Sequence, residues 1–233
     1  TMKSALPNLL TLLNLFSGCV AVIFVFNNHL EWASWAVLIG MVFDFFDGLV
    51  ARVLKVNGPI GKELDSLADM VTFGLVPGLI VFKLMEMALM TFSLDWPFLP
   101  FTAFLITLGA AFRLAKFNVL PSQNDFIGLP TPANAIVFIA FPLIIAYQGS
   151  DAMNTFILNP FTLLFLTFTS ALLMNLPVRI MSFKMREKNL RDFSPQLILV
   201  VISIVFLVVL KFAALPLIVL THVVISLFKT YPK

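Results

Sequence analysis

The sequence predicts an all-α integral membrane protein of about eight transmembrane helices, on three observations. Of the 233 residues 60% are hydrophobic, and the mean hydropathy is +1.02. Charged residues make up 12%, about half of the roughly 25% that a soluble domain carries, so too little charge remains to cover a surface facing water. The apolar residues also fall into runs long enough to cross the hydrocarbon, which takes about 20 residues per helix.

The runs lie at roughly 5–26, 32–54, 62–84, 97–117, 131–148, 159–180, 195–210 and 212–229. The first carries Pro7, Asn8 and Asn14 with no small-residue cleavage site after it, so a removable signal peptide is not expected. The second holds Asp44, Asp47 and Arg52 and ends at the turn signal Asn57-Gly58-Pro59. The third opens with Asp65 and Asp69; its Gly74-x3-Gly78 either packs helices closely or marks a bend at Pro77. The fourth ends in Arg113 and Lys116, before a polar loop at 121–125. Pro130 and Pro132 set the start of the fifth. The sixth runs into the basic stretch 179–192, whose charge suits anionic headgroups. The last two are short and joined by a tight hairpin at Lys211. We expect one transmembrane domain over 1–233, with a catalytic core at about 5–180 and additional helices at about 195–229. A lone thiol, Cys19, reads as a small packing residue.

Basic residues give the orientation. With the termini in the cytoplasm, Lys3, Arg52, Lys55, Lys62, Arg113, Lys116, Arg179, Lys184, Arg186, Lys188, Arg191, Lys229 and Lys233 lie inside, and only Lys83 and Lys211 outside, a split of 13 against 2. The positive-inside rule selects this arrangement in a cell membrane and puts the acidic segment at the cytoplasmic face. The basic pI near 9.1 therefore reflects topology, and no nucleic-acid partner is expected.

That acidic segment is the strongest signal in the chain. It reads Asp44-x2-Asp47-Gly48-x2-Ala51-Arg52, then eight residues, then Gly61-x3-Asp65-x3-Asp69. Carboxylates are costly in a bilayer and mark function there. Asp44, Asp47 and Ala51 share one helical face, and Gly61, Asp65 and Asp69 share a face of the next helix. Four carboxylates exceed what Arg52 can neutralise, so protons or metal ions must balance them. An oxygen-only donor set suits Mg²⁺, Mn²⁺ or Ca²⁺. His29 and His222 lie elsewhere, which argues against zinc. Gly48, Ala51 and Gly61 leave the inner face open to a base or a phosphate.

Residues 44–69 resemble, position by position, the signature of the CDP-alcohol phosphotransferases, a family with a six-helix transmembrane core. The resemblance implies attack of an alcohol on a CDP-linked lipid with release of CMP. It implies that Asp44, Asp47, Asp65 and Asp69 bind two divalent ions, Mg²⁺ or Mn²⁺, and that Asp69 is also the general base. By the same resemblance Gly48, Ala51, Arg52, Gly58 and Gly61 contact the cytidine diphosphate, with Asn8 of the Pro7-Asn8 pair as a further diphosphate contact. A homodimer is implied as well.

The signature is silent on the acceptor alcohol. The opening Pro7-Asn8-Leu9-Leu10-Thr11-Leu12-Leu13-Asn14, with Phe112–Asn118 and Phe126–Ala133, is similar to the membrane-embedded phosphatidylserine synthases, which implies CDP-diacylglycerol and L-serine as partners. A serine zwitterion needs a cation for its carboxylate and oxygens for its ammonium. Arg113, Lys116, Asn118 and Thr131 are the candidates, Arg113 offering a fork suited to a carboxylate. Glycerol phosphate, inositol phosphate and an archaeal ether lipid stay open as substrates. The reading from another class is a cation channel or transporter lined by the aspartates.

Overall fold

The computed structural model describes residues 2–56, 58–119, 126–177, 179–180 and 194–228. Asn57, the 121–125 loop, Lys184, Arg186, Lys188, Arg191, Lys229 and Lys233 lie outside the described residues.

Helix α1 (Met2–Phe26) turns into α2 (Leu30–Leu54) through Asn28, whose φ of 58° an asparagine tolerates, and the two pack along their length. Helix α3 (Pro59–Asp69) starts with proline in its first turn and runs without a break through a π-helical turn, Met70–Leu75, into α4 (Val76–Thr91). A 3₁₀ turn, Leu99–Ala103, leads into α5 (Phe104–Val119). Helix α6 (Thr131–Tyr147) begins at Pro130 and carries Pro132 in its first turn, as the sequence anticipates. The short α7 (Asp151–Ile157) is capped by the Ser150 hydroxyl, which accepts from the Met153 N–H at 3.3 Å, and meets α8 (Pro160–Asn175) at 55°. Helices α9 (Ser194–Leu210) and α10 (Ala214–Phe228) follow, separated by a 3₁₀ turn at Lys211–Ala213. Two residue pairs interrupt the helical plan: β1 (Phe126–Ile127) pairs antiparallel with β2 (Arg179–Ile180).

Four described stretches are long and apolar enough to cross a membrane: Ala5–Phe26, Pro59–Thr91, Leu99–Val119 and Leu199–Ser226; the bent α7–α8 pair makes a fifth. Helix α2 has the length, 25 residues, but carries Asp44 and Asp47 in its second half, and α6 is 17 residues long. The stretch Leu199–Ser226 doubles back. Lys211 has a left-handed φ of 47°, and α9 packs against α10. Gln148, just past α6, clasps the turn: its Nε2 donates to the Leu210 carbonyl at 2.9 Å and its Oε1 accepts from the Ala213 N–H at 3.2 Å. The hairpin predicted at Lys211 is therefore present.

Helix α4 is the axis of the bundle. It buries Val76, Ile80, Val81, Leu84, Met85 and Ala88, which pack with Phe73, Ile106, Phe138, Ile139 and Leu163. Large apolar side chains such as Phe16, Ile23, Val53, Phe165 and Val208 face outward, as a lipid solvent allows. The Gly74-x3-Gly78 pair takes the close-packing role. A Cβ on Gly74 would come within 3.1 Å of the Ala110 Cβ, one on Gly78 would collide with the Thr107 hydroxyl, and that hydroxyl donates to the Gly74 carbonyl at 3.1 Å. Gly78→Val should therefore lower stability by about 1–3 kcal/mol, the usual range for overpacking, read as a depressed Tm in detergent. An unchanged Tm would mean that α5 can yield there.

Candidate functional site

Helix α1 packs against both α2 and α3, and the aspartates of α2 and α3 approach one another beside it. One carboxylate oxygen each from Asp44, Asp47 and Asp65 lie within 4.8 Å of one another. Asp69, one turn beyond Asp65 on α3, adjoins Asp44 and Asp65. The two acidic faces therefore meet as the i, i+3 and i, i+4 spacings require. Asp47 and Asp69 are buried at 6% and 9% exposure, while Asp44 and Asp65 are partly covered.

Helix α1 supplies the neutral donors. The Thr11 hydroxyl stands 2.7 Å from Asp47 Oδ2 and 3.1 Å from the Pro7 carbonyl, so one proton serves two acceptors. Asn14 Nδ2 donates to Asp69 Oδ1 at 3.4 Å. Cations are scarce. Arg52 curls back on its own helix, its Nε donating to the Gly48 carbonyl at 2.8 Å. The ion pair found among the described residues is Lys83–Glu86 at 2.9 Å on α4, apart from the aspartates. Arg113 is in electrostatic reach of Asp69. A tight group of carboxylates with so little cationic compensation is costly as protein alone and fits a hard divalent ion.

The expected nucleotide-binding residues lie on or beside α1, α2 and α3 as well. A Cβ on Gly48 would meet nothing nearer than Arg52 Nη2 at 4.0 Å, and one on Gly58 would find open space. A Cβ on Gly61 would approach Asn8 Oδ1 at 3.3 Å, so α1 and α3 bring those two expected contacts together. Ala51 is partly covered and Arg52 exposed.

The four acceptor candidates divide. Arg113 Nη1 donates to Thr131 Oγ1 at 3.0 Å, joining α5 to the first turn of α6. Asn118 is spent on α3: its Nδ2 donates to Glu63 Oε2 at 3.1 Å, its Oδ1 accepts from the Ser66 hydroxyl at 3.1 Å, and its carbonyl takes the Lys62 ammonium at 3.1 Å. Five residues past Arg113 it lies about 140° around the helix, on another face. Lys116 is exposed in the last turn of α5. The sequence reading gave no role to Thr11, Glu63 or Ser66, and none beyond the motif to Asn14. A visible trace existed in α1, where Asn8, Thr11 and Asn14 repeat every three residues on an apolar helix.

The family model for CDP-alcohol phosphatidyltransferase matches residues 4–175, which include all four aspartates, Arg113 and Thr131. The chain belongs to this family. CDP-alcohol phosphatidyltransferases are membrane-integral transferases that use divalent metals, and the Asp44–Asp47–Asp65 triad could hold one. Curated relatives lie at similar distances. The CDP-diacylglycerol–serine O-phosphatidyltransferase of Helicobacter pylori (strain ATCC 700392 / 26695) is 32% identical over 209 residues, 86% of this chain and 81% of the relative. The Bacillus subtilis (strain 168) protein of the same name is 34% identical over 151 residues, 60% of this chain and 80% of the relative. The archaetidylserine synthase of Methanothermobacter thermautotrophicus is 32% identical over 153 residues, 64% of this chain and 62% of the relative. Helices α9 and α10 lie beyond the family match.

Proposed function

We propose that the protein makes phospholipid by transferring the phosphatidyl group of CDP-diacylglycerol to the hydroxyl of L-serine, giving phosphatidylserine and CMP. The observation that carries this reading is the Asp44–Asp47–Asp65 cluster adjoined by Asp69, with the Arg113–Thr131 pair in electrostatic reach of Asp69. One side suits a metal-bound diphosphate, the other an acceptor with a carboxylate. The relatives support the acceptor further, since their names differ in the lipid and share serine.

In this mechanism Asp44, Asp47, Asp65 and Asp69 would hold two divalent cations, Mg²⁺ or Mn²⁺, which would supply positive charge to offset the negative charge that an in-line displacement develops. Asn8, Gly48, Ala51, Arg52, Gly58 and Gly61 receive the cytidine diphosphate. Arg113 orients the serine carboxylate, with Thr131 fixing the guanidinium, and Lys116 adds positive charge at the rim. Asn118 acts from behind, holding α5 to α3. Asp69 accepts the hydroxyl proton as the serine oxygen bonds to the phosphorus that bears diacylglycerol; the bridging P–O bond breaks and its electrons leave with CMP. Direct attack is favoured because no Ser–His or Cys–His pair adjoins the carboxylates among the described residues. The 13-to-2 basic split supports a cell membrane location with termini and site on the cytoplasmic face, where a charged headgroup is processed while its chains stay in lipid. We place the core at about 5–180 and read the protein as a homodimer.

The test is CMP release by purified protein given CDP-diacylglycerol, serine and Mn²⁺ or Mg²⁺. A channel or transporter releases none. Exchanging serine for glycerol phosphate or inositol phosphate, and the diacyl lipid for its ether-linked counterpart, reads the two specificities separately. Arg113→Gln should raise the serine KM about 10–100-fold, the worth of a charged hydrogen bond, with the CDP-lipid KM within about twofold. If both constants stay unchanged, the acceptor pocket lies elsewhere.

A further inference from the structure

The geometry points to Asn14 as the positioning residue of Asp69: a buried amide on α1 that sets the direction in which the proton-accepting carboxylate faces. Asn14 has 0% exposure in a long apolar helix. A buried primary amide is unfavourable unless its hydrogen bonds are used. Its Nδ2 donates to Asp69 Oδ1 at 3.4 Å, while its Oδ1 has no hydrogen-bond partner among the described residues.

A second tie makes this more than a filled hydrogen bond. The main-chain carbonyl of Asn14 accepts from the Thr72 hydroxyl at 3.1 Å, and Thr72 lies in the π-helical turn that starts one residue after Asp69. Asn14 therefore holds both the Asp69 side chain and the turn that follows it. The surrounding space is shaped for this arrangement. A Cβ on Gly18 would collide with the Thr72 hydroxyl, and a Cβ on Gly40 would come within 2.9 Å of Thr72 Cγ2 and 3.0 Å of Asn14 Oδ1. Two helices thus dispense with side chains where Asn14 and Thr72 meet. A π turn has a looser hydrogen-bond register than an α-helix and recurs at functional sites, so an external hold is what gives this one a defined phase. Asp69 takes its orientation from α1 and not from its own helix alone.

Asn14 acts through Asp69, so the inference rests on Asp69 being the base; it does not depend on which alcohol is the acceptor. The experiment compares Asn14→Leu, which keeps the bulk and removes the donor, with Thr72→Val, which removes only the hydroxyl. For each, kcat, both KM values, CDP-lipid affinity and Tm are measured in Mn²⁺ with the full chain. Asn14→Leu should lower kcat about 10–100-fold, in line with the cost of misplacing a reacting group by about 1 Å, while CDP-lipid affinity stays within about twofold. Thr72→Val should give a smaller loss, about three- to tenfold, in kcat alone. Wild-type kcat in a folded Asn14→Leu protein overturns the inference. So does a pattern in which affinity and Tm fall together while kcat holds, which marks a structural role. Should Asn14→Leu fail to fold, Thr72→Val decides: an unchanged kcat overturns the inference. Asp69→Asn separates the two readings, because an inactive Asp69→Asn beside a fully active Asn14→Leu sinks only the positioning role.

Discussion

Replacing Asp69 by asparagine is expected to lower kcat by about 10²–10⁴-fold, the usual contribution of a general base, with binding of CDP-diacylglycerol largely retained. The two halves of this expectation have separate origins. An amide has the shape of the carboxylate but cannot accept the hydroxyl proton, so attack must begin from an un-ionised alcohol. The Asp44–Asp47–Asp65 triad, whose oxygens lie within 4.8 Å of one another, does not include Asp69 and survives the change. Rates come from CMP release and affinity from titration of the CDP-lipid without serine. Normal turnover would remove Asp69 as the base. Loss of both turnover and lipid binding would make it chiefly a ligand-holding group.

Chelation should be equally severe: EDTA is expected to stop turnover, and Mn²⁺ or Mg²⁺ to restore it. The same acidic cluster predicts a stability signature that needs no substrate. Carboxylates crowded this closely repel one another. A cation that binds only the folded state stabilises it by RT ln(1 + [L]/Kd), about 2.7 kcal/mol at a hundred times Kd. The Tm should therefore be lowest in EDTA and climb with added Mn²⁺. Asp65→Asn removes one of the mutually repelling charges. Its metal-free Tm should match or exceed the wild-type value, while its Mn²⁺-dependent rise shrinks and turnover disappears. A full Mn²⁺ response together with full activity would take Asp65 out of the ligand set.

The acidic site was legible because its residue types are so costly in lipid that their spacing alone fixes the faces they occupy. Asp44, Asp47, Asp65 and Asp69 met as helical periodicity requires. The hairpin at Lys211 was legible from span length, although the Gln148 clasp was not, because it joins positions 62 and 65 residues apart. Of the residues expected to take the acceptor, Arg113 and Thr131 come together, while the helical phase of Asn118 turns it toward Glu63 and Ser66. Arg52 has the charge to offset one carboxylate, yet its Nε donates to the carbonyl of Gly48 one turn back. Short α7 and the β1–β2 pair were missed because seven residues, or two, carry no periodicity to detect.

The unbroken run from Pro59 to Thr91 has a consequence for how this protein tolerates length changes. Its wide turn at Met70–Leu75 contains one more residue than an α-helix would use. Deleting a single amino acid there would let the coil close regularly with both halves near their present phase, whereas an insertion in the regular helix just after it would swing everything upstream by about 100° relative to the buried half beyond. Every carboxylate would still be encoded, and two of the four would point at the wrong neighbours.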